Sequence, residues 1–272
     1  MHLTVVIKSS LCYNQIKGCE TMFNFFVNKS NRNNDRYFIN GTDFNHIKNV
    51  LRMKTGDHFL VSCEGKSDLC ILESYEGESA VAVIIEENYA DNELPIKIHL
   101  FQGLPKSDKM ELIIQKCVEL GVSDITPVEM SRCVVKLEEK KKQSKQARWQ
   151  TIAESAAKQS KRNVIPTVHS PISYSEAIKS HSEIDVMLIP YENEDGISST
   201  VAALKEIKRK MTVGIFIGPE GGFDEKEIEL ARKNGGLTIS LGKRILRTET
   251  AAITAVGMCM LYAESELNGD KQ

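Results

Sequence analysis

The chain has 272 residues, 41% hydrophobic and 26% charged, with 35 Lys and Arg set against 37 Asp and Glu for a formal net charge of −2. That is the balance of a soluble globular protein long enough for one large or two modest domains, and its summed charge gives no sign of a nucleic-acid binder. The longest apolar stretch, about 251 to 263, is too short to span a membrane.

The cysteines, Cys12, Cys19, Cys63, Cys70, Cys117, Cys133 and Cys259, are odd in number and lack the close pairing of a zinc knuckle. They read as reduced thiols, with no metal cluster among them. Residues 1–21 carry a short apolar run, Leu3 to Ile7, without the basic start of a signal peptide. A small extra strand is one reading of it.

From Met22 to about Asp91, short alternating runs (Phe23 to Val27, His58 to Ser62, Leu69 to Glu73, Ala80 to Ile85) are punctuated by Gly56, Gly65 and Gly77. This pattern predicts a small β-barrel. One helix is predicted over Asp43 to Leu51, with Phe44, Ile47, Val50 and Leu51 on a common face. Lys29, Arg32, Arg36, Lys48, Arg52 and Lys54 crowd the first half, whereas Asp57 to Asp91 is almost wholly acidic. A basic edge beside an acidic remainder suits a phosphate backbone; a solvated surface explains the charges equally well.

Asp91 to Pro95 is a polar hinge, after which strand and helix patterns alternate to the end. Ile96 to Gln102 reads as a strand. Asp108 to Leu120 reads as a helix stopped by Gly121, with Met110, Ile113, Ile114, Cys117 and Val118 as its apolar stripe. Ile125 to Met130 is the next strand. Lys106, Lys109, Gln115, Lys116 and Glu119 occupy the loop and the polar side of that helix, where solvation explains them as well as a role at a site does. Residues 131–162 are rich in cations, with Arg132 near their start, and a helix is predicted through Arg148 to Arg162. Its Trp149 and alanines pack, while Gln159 and Arg162 end near the next loop. There follow a short strand near Thr167, a helix from Tyr174 to Lys179, and the apolar strand Ile184 to Ile189. That strand runs into Pro190, Tyr191 and Glu192, and a helix is predicted from Thr200 to Lys210. Alternation of this kind gives an α/β half with a mostly parallel sheet.

Val213 to Met258 carries the densest signal. Ile215 to Ile217 breaks at Gly218-Pro219-Glu220-Gly221-Gly222, then enters a helix from Glu225 to Lys233 capped by Asp224 and Glu227. Glycines let backbone approach a ligand, and the helix start offers free N–H groups. Alone, this is more simply an ordinary turn. The second loop, Leu241-Gly242-Lys243-Arg244-Ile245-Leu246-Arg247, leads into Thr248-Glu249-Thr250 and alternates cations with branched apolar residues. Two such loops on consecutive strand–helix units predict a ligand at the carboxyl ends of neighbouring parallel strands. No Walker lysine or Gly-x-Gly-x-x-Gly is present, which argues against a nucleotide-phosphate enzyme.

The Gly218 to Phe223 and Leu241 to Ala251 motifs resemble the SPOUT class of S-adenosylmethionine-dependent RNA methyltransferases. More narrowly they resemble the RsmE family, which methylates uracil N3 in 16S ribosomal RNA. The resemblance covers Met22 to about Glu264. It implies a SPOUT domain over 95–266 with a trefoil knot, and a PUA-like RNA-binding barrel over 22–91, where His46 to Met53 and Gly56-Asp57 match the family pattern. Residues 1–21 are then an extension or a misassigned start. The resemblance further implies S-adenosyl-L-methionine as cofactor, 16S ribosomal RNA or the assembled small subunit as partner, a homodimer, and a cytoplasmic location.

Carried onto this sequence, the cofactor falls to Ile189, Pro190, Tyr191, Ile217, Gly218, Pro219, Glu220, Gly221, Gly222, Leu241, Gly242, Ile245, Leu246 and Thr250. Arg247 is assigned to charge on the base and Glu249 to holding that arginine, with proton acceptance as a second role. RNA contacts are expected at Arg32, Arg36, Arg52, Lys106, Arg132, Gln159 and Arg162. The Arg148-Trp149…Gln159-Ser160…Arg162 stretch resembles one lining the substrate side, but Ser155 interrupts the usual Glu-Ala pair, so Glu154 is given no role. Two alternatives stand beside this reading. A SPOUT enzyme acting on another atom, such as a ribose 2′-hydroxyl, is disfavoured by the amino-terminal barrel and the Lys243 to Thr250 run. An idle RNA-binding protein is disfavoured by the intact glycine loops.

Overall fold

The computed structural model describes residues 22–194 and 196–267; the readings made for residues 1–21 lie outside them. The chain divides into two compact units at Asp91 and Asn92.

The first unit is built on a six-stranded mixed sheet. Strands β1 (Asn24–Phe26), β2 (Arg32–Asn33), β3 (Arg36–Ile39), β4 (His58–Cys63), β5 (Lys66–Glu76) and β6 (Ser79–Ala90) lie in the order β1-β4-β5-β6-β3-β2. Only the β1–β4 pair is parallel. Glu64 and Gly65 both take positive φ, the backbone of a two-residue turn whose twist matches its flanking strands, which fixes the β4–β5 register. Among the described residues no ladder joins β1 to β2, so the pairing is an open, half-barrel path rather than the closed barrel expected. Phe25, Tyr37, Ile39, Phe59, Val61 and Leu72 fill its core together with Ile47. Ile47 comes from a π-helical turn over His46–Val50, into which helix α1 (Gly41–Asn45) runs. The widened turn, closed by Leu51 N–H donating to His46 O at 2.8 Å, rotates Val50 off the expected apolar face to 63% exposure.

The second unit holds seven parallel strands. In the order β10-β8-β7-β12-β11-β13 run β10 (Ile172–Ser173), β8 (Asp124–Glu129), β7 (Lys97–Gly103), β12 (Thr212–Ile217), β11 (Val186–Pro190) and β13 (Leu237–Ile239); β9 (Thr167–Val168) also pairs with β8. Central strands buried on both faces are continuous apolar runs: Val213, Ile215, Phe216 and Ile217 are all buried in β12. Phe216 stacks on Phe101 of β7 at 4.3 Å. Near the start of β7 the stack continues differently, with His99 lying 4.0 Å from the Phe101 ring and 5.4 Å from His169. His99 Nε2 pairs with Thr126 Oγ1 at 2.8 Å, and His169 Nε2 with Asp124 Oδ1 at 2.9 Å.

The helices are α2 (Lys109–Glu119), α3 (Glu139–Gln159), α4 (Tyr174–Lys179), α5 (Ser198–Lys205), α6 (Glu225–Lys233) and α7 (Thr248–Tyr262), with α2 packed against α3 and α7. α2 buries its predicted stripe and stops at Gly121, whose φ of 97° only glycine adopts cheaply. α3 begins at Glu139, upstream of the Arg148 expected, because its lysines are supported by Glu138, Glu139 and Glu129. α5 stops at Lys205, short of the Lys210 expected; Lys210 turns to a φ of 70° and donates its N–H to Pro95 O. The described cysteines, Cys63, Cys70, Cys117, Cys133 and Cys259, are all free thiols.

Candidate functional site

Strands β12, β11 and β13 are neighbours and parallel, so their carboxyl ends at Ile217, Pro190 and Ile239 open on the same edge of the sheet. Three loops leave from there, described over residues 191–194 with 196–197, 218–224 and 240–247. Between them lies a cavity of about 920 Å³, lined also by Lys109 and by Thr248 and Ala251 of α7.

Side-chain hydroxyls hold these loops to one another. Thr248 Oγ1 donates to Gly218 O at 2.7 Å and accepts from Gln102 Nε2 at 2.9 Å. Thr200 Oγ1 donates to Ser240 O at 2.7 Å and accepts from Ser240 N–H at 3.1 Å. Tyr191 N–H donates to Ile239 O at 3.0 Å. The Asp224–Glu227 capping box closes the first turn of α6 as the sequence predicts. Gly218 leaves little room for a Cβ, which would sit 3.1 Å from the Gly222 carbonyl carbon. Gly222 has a φ of 68°, and the Glu192 carboxylate lies against it. Because the loops are fixed by side chains, the N–H groups of Leu241, Ile245 and Leu246 meet no acceptor among the described residues. Apolar walls from Ile217, Leu241 and Leu246 with free N–H donors at the edge suit a nucleoside-like ligand.

Of the residues assigned to the cofactor, Pro190, Tyr191, Ile217, Gly218, Pro219, Glu220, Gly222, Leu241, Gly242, Ile245 and Leu246 line the cavity. Three do not. Ile189 is fully buried in the core, where it excludes a Cβ from Gly236. Gly221 packs on Arg132, whose Nη1 donates to its carbonyl at 3.1 Å. Thr250 is exposed on α7 outside the lining.

Glu249 does not hold Arg247. Its Oε2 lies 3.4 Å from Lys109 Nζ, while Arg247 is exposed and makes no ion pair among the described residues. Solvation explains Lys109 in the sequence as well as a site role does; here its ammonium also meets Glu220 Oε1 at 3.0 Å. That contact, followed by the nearby charges, raises the Lys109 pKa. Burial pushes the Glu220 carboxyl up, but hydrogen bonds from its own N–H, from Lys109 and from the Lys106 N–H outweigh it and hold the group below the usual carboxylate range. Lys109, Gln102, Thr200 and Thr248 are site-building residues that sequence reasoning passed over. The one available signal was a cation in the first turn of a helix, where the macrodipole disfavours it.

The residues expected to meet RNA divide into two groups. Arg52 (φ 53°), Lys106 and Gln159 have exposed side chains without an ion pair among the described residues; Arg132 is exposed beside Asp224 at 3.8 Å. The others are engaged. Arg36 is bidentate to Glu73 at 2.8 and 2.9 Å and Arg32 pairs with Glu87; Lys29, on the same basic edge but given no RNA contact, lies 3.1 Å from Glu64. The acidic half of the first unit thus threads through its basic half instead of standing apart from it. Arg162 is a correction outright: it is 3% exposed, forks onto Glu93, and donates to Val118 O and Val122 O, so it is part of the interior.

The chain matches the model of an RNA methyltransferase domain over residues 92–260 and that of an RNA methyltransferase PUA domain over 39–86. These define its class: an RNA methyltransferase with a PUA unit ahead of the catalytic one. Among curated proteins it is 38% identical to ribosomal RNA small subunit methyltransferase E of Bacillus subtilis, covering 86% of this chain and 93% of that one. It is 35% identical to the protein of the same name from Mesomycoplasma hyopneumoniae, over 88% and 99% of the two chains. The crystal structure of ribosomal RNA small subunit methyltransferase E from Neisseria gonorrhoeae, bound to S-adenosylmethionine, superposes with a TM-score of 0.72 at 32% identity, over 89% and 98% of the chains. The protein belongs to the ribosomal RNA small subunit methyltransferase E family.

Proposed function

We propose that the protein transfers a methyl group from S-adenosylmethionine to N3 of a uridine in 16S ribosomal RNA of the small subunit. The observation that carries the proposal is the cavity closed by three loops at adjacent parallel strand ends, in a member of this methyltransferase family. Bound S-adenosylmethionine supplies a methyl on positively charged sulfur, open to a nucleophile. The loop glycines Gly218, Gly222 and Gly242 admit it closely, and the Leu241, Ile245 and Leu246 N–H groups are free to receive its polar edge. Tyr191 and Pro190 close the other side.

Uracil N3 lies on the pairing edge and carries a proton, so the base must leave its pair and lose that proton before attack. Arg247, exposed at the cavity wall and without an ion pair among the described residues, is assigned to the negative charge that develops on the uracil oxygens. Glu249, free of Arg247, is assigned to the proton. Arg52, Lys106, Arg132 and Gln159 are assigned to RNA; Arg32 and Arg36 serve only by exchanging carboxylate partners for phosphates. We further read residues 22–91 as a PUA-like RNA-binding half-barrel and 95–266 as a SPOUT domain whose return from β13 to α7 forms a trefoil knot. Association as a homodimer and a cytoplasmic place of action complete the reading.

The test is methyl transfer from labelled S-adenosylmethionine to small ribosomal subunits from cells lacking the protein, followed by nucleoside analysis. Label in N3-methyluridine is the expected result. Label in a ribose-methylated nucleoside sinks the choice of atom.

A further inference from the structure

Lys109 opens α2, a position where the helix macrodipole disfavours a cation, yet its side chain is not given over to solvent. Its ammonium joins Glu220 on the loop after β12, at 3.0 Å, to Glu249 in the first turn of α7, at 3.4 Å, and it lines the cavity. One cation between two carboxylates leaves one carboxylate over. Glu220 is the committed one, since its Oε1 accepts from both Lys109 Nζ and the Lys106 N–H. Glu249 is the spare: beyond the 3.4 Å approach of Lys109 Nζ, its buried Oε2 meets no donor among the described residues, while the side chain keeps 14% exposure. A carboxylate steered by a cation at one oxygen, with no other donor at that oxygen, is oriented without being satisfied.

We propose that Lys109 is a positioning residue for methyl transfer, holding Glu249 Oε2 so that the other carboxylate oxygen meets the uridine and accepts its N3 proton. The inference rests on the uridine-N3 reading. In the step, the N3–H bond breaks and its proton passes to Glu249. The lone pair left on N3 forms the bond to the methyl carbon, and the methyl–sulfur bond breaks with its electron pair returning to sulfur. No further reactant is consumed. Because Glu220 belongs to the loop that borders the cofactor side, the same ammonium keeps that loop and the proton acceptor in register.

A double-mutant cycle on the full chain tests this, with small ribosomal subunits from cells lacking the enzyme as substrate. Lys109→Met is expected to lower kcat by about 10–100-fold while the Kd of S-adenosylmethionine and the KM for subunits stay within about threefold. Glu249→Gln lowers kcat at least as far, and the double variant is no slower than Glu249→Gln alone. Lys109→Arg, which keeps the cation, recovers most of the rate. Unchanged thermal melting and cofactor binding show that the variants are folded. Two outcomes overturn the proposal: cofactor affinity falling in step with kcat in Lys109→Met, which makes Lys109 a mere latch for the Glu220 loop, or losses that multiply in the double variant. Transfer by the wild type to an atom other than N3 overturns the underlying reading, and this inference with it, and is seen before any variant is made.

Discussion

Arg162 and Glu93 stand 69 residues apart and meet at 2.6 Å, with the arginine side chain 4% exposed and its remaining N–H groups on two backbone carbonyls. Glu93 in turn accepts from the Asn163 N–H at 2.8 Å, and Asn92 N–H donates to the Asn163 side chain at 3.0 Å. The first residues of the second unit are therefore tied to the end of α3 and to the turn after α2.

Removing Arg162 takes the cation from half-buried Glu93 and the donor from two interior carbonyls. Arg162→Ala is expected to destabilise the second unit by about 3–5 kcal/mol, the usual consequence of breaking a buried pair from one side. Urea unfolding reads it. An unchanged midpoint would mean that the guanidinium contributes nothing to the interior.

Thr248 presents a different kind of dependence. Thr248→Val preserves shape but deprives Gly218 O of a donor and Gln102 of an acceptor, costing about 1–3 kcal/mol. Since Gly218 lines the cavity, cofactor affinity measured by calorimetry should fall with stability, and Thr248→Ser should restore both. Wild-type affinity in the valine variant would detach this hydroxyl from the site.

Acid should weaken the second unit through His99. Burial pushes its imidazole down to about 4, against the opposing pull of Asp124. The unfolded histidine titrates near 6.5, so between these values the unfolded chain binds more protons. Stability is thus complete above about pH 6.5 and is lost as pH falls towards about 4. Asp124, lowered chiefly by its hydrogen bond from His169, adds a loss in the same direction at lower pH still. In His99→Phe, which keeps the aromatic stack, the gap between melting temperatures at pH 7 and pH 5 should narrow even if both are lower. An equal gap would place the acid sensitivity elsewhere.

RNA binding should separate two arginines of the first unit. Arg52 is exposed and without an ion pair among the described residues, whereas Arg36 is already occupied by Glu73. Arg52→Gln is expected to flatten the dependence of log affinity on log salt by roughly 0.7–0.9, the loss of one phosphate contact, and Arg36→Gln by less. The opposite ranking would show that the Arg36–Glu73 pair opens on RNA.

What the sequence disclosed depended on range. Features set by neighbours were legible: the Asp224–Glu227 box, helix α6 over Glu225–Lys233, the stop at Gly121, and the two glycine loops at strand ends. Features set by distant partners were not. Nothing local in Lys109 says that Glu220 lies 3.0 Å away across 111 residues, and nothing in Arg162 separates a phosphate ligand from an interior clamp. Charge by segment misled for the same reason, because strands β2, β3, β5 and β6 bring Arg36 beside Glu73 and Arg32 beside Glu87. The open first sheet escaped notice because alternation reports which face is buried, not whether the last strand finds the first.

The Thr248 hydroxyl has one more implication, for the order in which this protein becomes able to work. It reaches back from the start of the last long helix to Gly218 and Gln102, and the cavity takes residues from Lys109 through Ala251. A growing polypeptide that has not yet emerged as far as α7 has the sheet but no finished pocket. Occupancy by cofactor is then a property of the completed molecule, and each bound copy gains stability by mass action that an unfinished copy does not share.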